Sequence, residues 1–244
     1  MKDIRLPRIL VNGEHGDEAN GTVKVARRYL RAIERAGGLP IVCPWVDDDA
    51  LVDSLLDLAD GVLLTGGDDF ETESLGLGPT HPKATPVPAT KQGFDFALTR
   101  RALERGVPIL GICYGMQLLA LSAGAGFIQD LADERPGSQE HRGGAVHPVR
   151  IESATKLARL LSVEPLNVVS RHHQAIANCP ADWRVSAVDE EGLIEAIEHL
   201  DRPYCVGVQW HPELSPGTRH DRLFDALVDE ARSSSHSPLQ HTIG

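Results

Sequence analysis

Positive charge is what this chain lacks most: its 244 residues hold 24 Lys and Arg against 35 Asp and Glu, a formal charge of −11. So acidic a balance opposes nonspecific association with nucleic acid or an anionic membrane, and neither is expected as a partner. An anionic substrate would need a local cationic site. No uninterrupted apolar run reaches about 18 residues, so no membrane-spanning helix is expected. Residues 1–8 are basic but carry no apolar segment ahead of the first strand pattern, which argues against a secretory leader. Cysteine is sparse too: Cys43, Cys113, Cys179 and Cys205 stand alone, with no C-x-x-C pair or other metal-ligand spacing. That usage fits reduced thiols in a cytoplasm, and no metal or organic cofactor is expected. Internal repeats are absent as well.

What remains is a chain of 41% hydrophobic residues, long enough for one large α/β domain. The reading is a single domain over residues 1–232, with a Ser-rich tail at 233–244 expected to be disordered. Residues 8–12 form the first strand pattern, and 23–36 read as a helix whose apolar stripe is Ala26, Tyr29, Leu30 and Ile33. Gly37-Gly38 stop that helix, and 39–43 follow as a second strand, giving a βαβ start and hence a parallel sheet. A short helix at 50–58 precedes a third strand at 61–65, which runs into Gly66-Gly67-Asp68. Residues 68–90 are rich in Gly, Pro and Thr, a length at which loops are binding segments, lids or disordered. A helix at 92–104 resumes the alternation. Beyond 126–131, a short strand, segments 145–152, 166–170, 183–188 and 193–199 read as strands too closely spaced for helical crossovers. They predict an antiparallel addition. Leu223, Phe224, Leu227, Val228 and Ala231 define a closing amphipathic helix.

The stretch Val107-Pro-Ile-Leu-Gly-Ile-Cys-Tyr-Gly-Met-Gln117 reads as an apolar strand turning into a helix with Cys113 at the turn. Taken alone, a cysteine among apolar residues is usually core filler. Gly111 and Gly115, two residues to either side, change the reading, because they allow backbone to approach a sharp strand-to-helix turn. A thiol there meets unpaired N–H groups and the positive end of the helix dipole, both of which favour thiolate. The N–H of Tyr114 would face a developing oxyanion. Further on, Tyr204-Cys-Val-Gly-Val-Gln-Trp-His-Pro-Glu213 is a second β-rich run. Residues i and i+2 of a strand share a face, so Glu213 can orient His211 while the other ring nitrogen meets a thiol.

These pieces, with Leu64-Thr-Gly-Gly-Asp68, resemble the class I glutamine amidotransferase-like hydrolases. Tyr29-Leu-Arg-Ala-Ile-Glu-Arg-Ala-Gly-Gly-Leu-Pro40, Ser170-Arg-His-His-Gln-Ala175 and Gly192-Leu-Ile-Glu-Ala-Ile197 resemble the gamma-glutamyl-gamma-aminobutyrate hydrolase branch. The resemblance spans about residues 8–231. It implies a flavodoxin-like α/β fold, a mostly parallel sheet with helices on both faces and an antiparallel extension, and hydrolysis of a gamma-glutamyl amide through a thioester. It further implies Gly67 as the second oxyanion donor and Gln117 as a contact for the glutamyl group. Arg171, His172, His173 and Gln174 are expected on the substrate side, with either Arg171 as the cation for a carboxylate or the other three supplying neutral donors instead. The adjacent histidines also invite a metal, but no third ligand has suitable spacing, and a hydrogen-bonding loop is preferred. The alternative function is a glutaminase subunit supplying ammonia to a synthase. A dienelactone-hydrolase-like enzyme would order its triad as nucleophile, acid, histidine, unlike Glu213 here. A non-enzymatic binding protein on the same fold is the third class. Which amine leaves stays open, as does the choice between monomer and homodimer.

Overall fold

The computed structural model describes residues 5–16, 21–46 and 48–234. Its strands are β1 (Arg8–Asn12), β2 (Glu14–His15), β3 (Val23–Lys24), β4 (Leu39–Cys43), β5 (Gly61–Leu64), β6 (Ile109–Ile112), β7 (Phe127–Ile128), β8 (Ala145–Ile151), β9 (Leu166–Ser170), β10 (Ala175–Ile176), β11 (Trp183–Val188), β12 (Ile194–His199) and β13 (Cys205–Val208). The helices are α1 (Arg27–Arg35), α2 (Asp49–Asp57), α3 (Ala89–Arg105), α4 (Tyr114–Ser122), α5 (Leu131–Glu134), α6 (Lys156–Leu161) and α7 (Arg222–Ser234).

Nine strands form one sheet in the order β4-β1-β5-β6-β13-β12-β11-β8-β9. From β4 to β13 neighbours run parallel; from β13 to β9 every pairing is antiparallel. The fold is therefore flavodoxin-like α/β with the antiparallel extension expected. Strand alternation sorts the core onto two faces. Ile9, Val11, Leu63, Leu110 and Ile112 pack with α1 and α7, while Leu10, Val62, Leu64 and Ile109 pack with α2, α3 and α4. Each of these fully buried aliphatic side chains contributes roughly 1.5–3 kcal/mol relative to exposure, and together they fix the strand register. That register sets the carboxyl ends of β5, β6 and β13 side by side, where open α/β sheets gather ligands.

Several boundaries differ from the sequence reading: the 126–131 strand shrinks to β7, and α5 and α6 lie where no helix was expected. The first helix starts at Arg27, not residue 23, because Val23 and Lys24 instead pair with Glu14 and His15 in a two-stranded ribbon and Ala26 is extended (φ −69°, ψ 123°). The third helix begins at Ala89, one turn before residue 92, so Lys91 and Gln92 belong to it. Residues 233 and 234 belong to α7; the rest of the expected tail, 235–244, lies outside the described residues. The 68–90 segment is pinned rather than loose: Asp69 bridges to Pro86, the Thr72 hydroxyl donates to Gln129 Oε1, and Lys83 pairs with Asp130 and Asp133. Among the described residues no helix is long and apolar enough to cross a membrane.

Candidate active site

At the end of β6 the backbone reverses into α4 through Cys113, which has φ 52° and ψ −107°. A non-glycine residue there carries about 1–3 kcal/mol of strain, which the surroundings must over-determine. They do so from both sides. The Cys113 N–H donates to the Val208 carbonyl on β13 (2.8 Å) and its carbonyl accepts from Gln117 N–H (3.1 Å). The flanking glycines are required by contact: a Cβ on Gly111 would lie 2.6 Å from the Gly115 carbonyl oxygen, and one on Gly115 only 2.3 Å from that of Leu64. Backbone cannot give way as a side-chain tip can, so the turn closes only with glycine at both positions.

Adjacent β13 brings His211 to the thiol. His211 Nδ1 lies 2.8 Å from Glu213 Oε1, and the ring lines the same cleft as Cys113, whose thiol bears on its charge. The route to this geometry is not the strand face read from the sequence. The strand ends at Val208; His211 is extended (φ −108°, ψ 83°) and Pro212–Leu214 is a 3-10 turn, so Glu213 reaches back to its ring over Pro212. Arg28 Nε, 3.3 Å from the same Oε1, adds a second cation to the buried carboxylate.

Burial alone would push His211 down, but the Cys113 thiol and Glu213 carboxylate outweigh it and raise the imidazole to about 10. A raised histidine contributes stability fully present below its ordinary value near 6.5 and lost as pH climbs through about 10. In an NMR titration of ring nitrogens, His211 should accordingly remain charged at pH 8. Cys113→Ala removes one of the two raising partners, so the same resonance should then titrate at lower pH. A wild-type His211 that titrates near 6.5 would refute the pairing.

The two glycines after β5 have different roles. Gly66 N–H donates to the Tyr29 hydroxyl (3.1 Å), and a Cβ there would strike that hydroxyl at 2.8 Å and His211 Cε1 at 2.9 Å. Its donor is therefore engaged, while Gly67 lines the cleft beside Cys113. Tyr114 opens α4, so its N–H lacks an intrahelical acceptor.

Behind these donors lies a buried polar network. Lys91 Nζ pairs with Asp95 Oδ2 (2.5 Å), to which the Tyr114 hydroxyl also donates (3.0 Å). Asn12 Nδ2 donates to Asp95 Oδ1 (3.0 Å), and Asn12 Oδ1 accepts from Thr65 N–H (2.8 Å). Gly115 N–H in turn donates to the Thr65 carbonyl (3.1 Å). One carboxylate thus ties α3 to the ends of β1 and β5 and to the residue after Cys113.

The cleft, about 190 Å³, is lined by Lys24, Arg28, Lys91 and Arg171 against Glu14 and Asp68. An otherwise acidic molecule here concentrates positive charge. Lys91 is satisfied by Asp95 and Arg28 by Glu213, whereas Arg171 enters no ion pair among the described residues.

The other expected substrate contacts sit elsewhere. Gln117 is buried, its Nε2 donating to the Gln174 carbonyl (2.8 Å) and to Gln209 Oε1 (3.1 Å). His172 is 4% exposed, with Nε2 3.5 Å from Glu195, and burial foremost lowers its titration. His173 spans Asp69 (2.9 Å) and Asp130 (3.0 Å), and Gln174 Oε1 accepts from Phe70 N–H (3.4 Å). Of the five residues only Arg171 lines the cleft; the rest brace its walls, because the chain turns away from the thiol after Arg171. Sequence reasoning missed Tyr29, Arg28, Lys91, Asp95 and Gln209, whose Nε2 is 3.6 Å from Cys113 Sγ. Tyr29 stood out only as a helix-stripe residue at the start of a stretch that resembles the family, and Lys91-x-x-x-Asp95 looks like any i,i+4 surface pair.

Comparison with known proteins shows the family and the fold. The Peptidase C26 family profile matches residues 8–213. Over 208 residues the chain is 39% identical to the Mycobacterium tuberculosis protein named "Putative glutamine amidotransferase Rv2859c", covering 83% of this chain and 66% of that one. It is 32% identical over 209 residues to the Escherichia coli K12 gamma-glutamyl-gamma-aminobutyrate hydrolase PuuD, covering 80% of this chain and 81% of the relative. A Thermoplasma acidophilum structure titled a "putative gmp synthase subunit a protein" shares the fold, with TM-score 0.67 at 22% identity over 95% of this chain and 96% of that one.

Proposed function

The chain belongs to the Peptidase C26 family of class I glutamine amidotransferase-like proteins, and from that premise we propose that it is a free-standing hydrolase of gamma-glutamyl amides working through a Cys113 thioester. The observation that carries this reading is the strained Cys113 elbow beside His211 and Glu213, opening on a cationic cleft. The sulfur attacks the gamma-carbonyl carbon, and the resulting oxyanion is held by the N–H groups of Gly67 and Tyr114. His211 carries the thiol proton to the leaving amine as the C–N bond breaks. Water then attacks the thioester, His211 accepts its proton, and the S–C bond breaks to release glutamate and return the thiol. Glu213 keeps the imidazole oriented and balances its charge. Arg171 and Lys24 suit the alpha-carboxylate of the glutamyl group, and Glu14 and Asp68 its ammonium.

All four cysteines are free thiols, which supports a cytoplasmic setting. The name of the Mycobacterium relative favours a second reading, a glutaminase that feeds a synthase. Incubating purified protein with a panel of gamma-glutamyl amides and following products by mass spectrometry separates the two. Hydrolysis of secondary amides without any partner is the expected result. Ammonia release from glutamine that appears only with an added synthase would overturn it. Within the same assay Arg171→Ala should raise KM by roughly tenfold with kcat little changed, since a charge-assisted bond to carboxylate is worth about 1.5–3 kcal/mol and this arginine is exposed. An unchanged KM would remove Arg171 from the substrate site.

A further inference from the structure

Within the antiparallel half of the sheet, three histidines converge on one carboxylate oxygen. Glu195 Oε1, on β12, lies 3.5 Å from His172 Nε2, 3.6 Å from His141 Nδ1 and 4.0 Å from His147 Nε2. All four side chains are at least nine-tenths buried: Glu195 is 0% exposed, His141 1%, His172 2% and His147 5%. These separations are too long for hydrogen bonds. Among the described residues both Glu195 oxygens and Nε2 of His141, His147 and His172 have no hydrogen-bond partner, while His141 Nδ1 lies 3.5 Å from the Ser170 hydroxyl. A fully buried carboxylate without a donor costs several kcal/mol, so the arrangement is unexplained by the protein alone.

The outer nitrogens supply the second observation. His172 Nδ1 is 3.0 Å from the Gln174 carbonyl, His147 Nδ1 is 3.3 Å from the Pro148 carbonyl, and His141 Nε2 is 3.4 Å from Asp189 Oδ2. A carbonyl can only accept, so the first two contacts place the ring proton outward and leave the lone pair of Nε2 facing Glu195. A carbonyl or carboxylate behind the outer nitrogen is the arrangement that orients histidine ligands around a metal. Four donors at the corners of a tetrahedral zinc site stand about 3.3 Å apart, given bonds of about 2.0 Å; the ligand atoms of His141, His147 and Glu195 already lie within 4.8 Å of one another, and His172, with Nε2 3.5 Å from Glu195, has to swing further in to complete the set.

We propose that His141, His147, His172 and Glu195 form a structural binding site for a divalent transition-metal ion of the zinc class. Three imidazoles and one carboxylate suit such an ion, and four protein ligands leave no open position for catalysis. A cavity of about 200 Å³ lined by His141, Arg142, His172 and His173 gives the ion a path from solvent. The sequence argued against a metal because His172 and His173 had no third ligand at suitable spacing. Residues 141, 147 and 195 are brought to His172 by strand pairing instead: β8 pairs with β9, which ends just before it, and β12 lies two strands away across β11. His173 points to Asp69 and Asp130 and takes no part. Through the Gln174 carbonyl, shared by His172 and Gln117, the ion would also fix the wall of the elbow helix.

The test is metal analysis of the full purified chain followed by titration with Zn²⁺ and, as a spectroscopic probe, Co²⁺. One equivalent should bind, Co²⁺ should show the intense visible bands of tetrahedral coordination, and the melting temperature should rise by about 5–10 °C at a hundredfold excess over Kd. Glu195→Gln and His147→Gln, each compared at matched folded fraction by circular dichroism, should lose that equivalent. Wild-type protein that binds neither ion, or variants that bind as wild type does, would overturn the assignment; the wild-type titration decides it even where a variant does not fold.

Discussion

Cys113→Ala is expected to abolish gamma-glutamyl amide hydrolysis, by roughly 10⁴-fold or more, while the protein stays folded. Among the described residues no other thiol lines the cleft, so what survives is binding and oxyanion stabilisation alone. Stability should change least at high pH, because the strained φ of 52° is no worse for alanine and the His211 pairing that the substitution removes is already lost as pH climbs through about 10. Iodoacetamide labelling with peptide mapping gives an activity-independent check. Burial pushes the Cys43 and Cys205 thiols up to about 12 and that of Cys179 to about 11, so all three should be slow. Cys113 lines the cleft and has an imidazole to hold its proton, and it should label first. Equal labelling of Cys179, or turnover that survives the substitution, would remove Cys113 from the mechanism.

How much of this was written in the sequence depends on how local the information is. The elbow was legible because its requirements fall within five residues: a glycine on each side of Cys113, an apolar strand before and a helix after. His211 and Glu213 were legible as a pair, yet their geometry was not, since a prolyl 3-10 turn and a strand both bring i and i+2 within reach. The parallel half of the sheet announced itself through βαβ spacing, and the antiparallel half through strands too close for crossovers. What stayed hidden are the contacts made by folding distant segments together. Tyr29 lies 37 positions from the Gly66 amide it accepts from, and Asn12 lies 83 from Asp95. The same holds for His141, His147, His172 and Glu195, whose only linear signal was a surplus of histidines in a β-rich region. Lys91 and Asp95 gave no signal, because one spacing describes both a solvated helix pair and a fully buried one, and only the packing of α3 under the loop after β5 distinguishes them.

That pair carries the largest stability effect. Asp95→Ala should destabilise the fold by about 3–5 kcal/mol, since it strands the buried Lys91 ammonium, 2% exposed, and leaves the Tyr114 hydroxyl and the Asn12 amide without their acceptor. Removing the charge that is left behind should recover part of the loss. In Asp95→Ala with Lys91→Met, no ion remains to be solvated and the methionine fills much of the same volume, so urea midpoints should rise above those of the single variant. Activity should not follow stability. Asp95 anchors Tyr114 and, through Asn12 and Thr65, the loop that presents Gly67, so the double variant loses the brace on both proposed oxyanion donors whatever its midpoint. Its kcat should stay at least tenfold below wild type in conditions where both are fully folded, with Cys113 still alkylated rapidly. A double variant that is both as stable and as active as wild type would show that the network neither holds the fold together nor positions the donors.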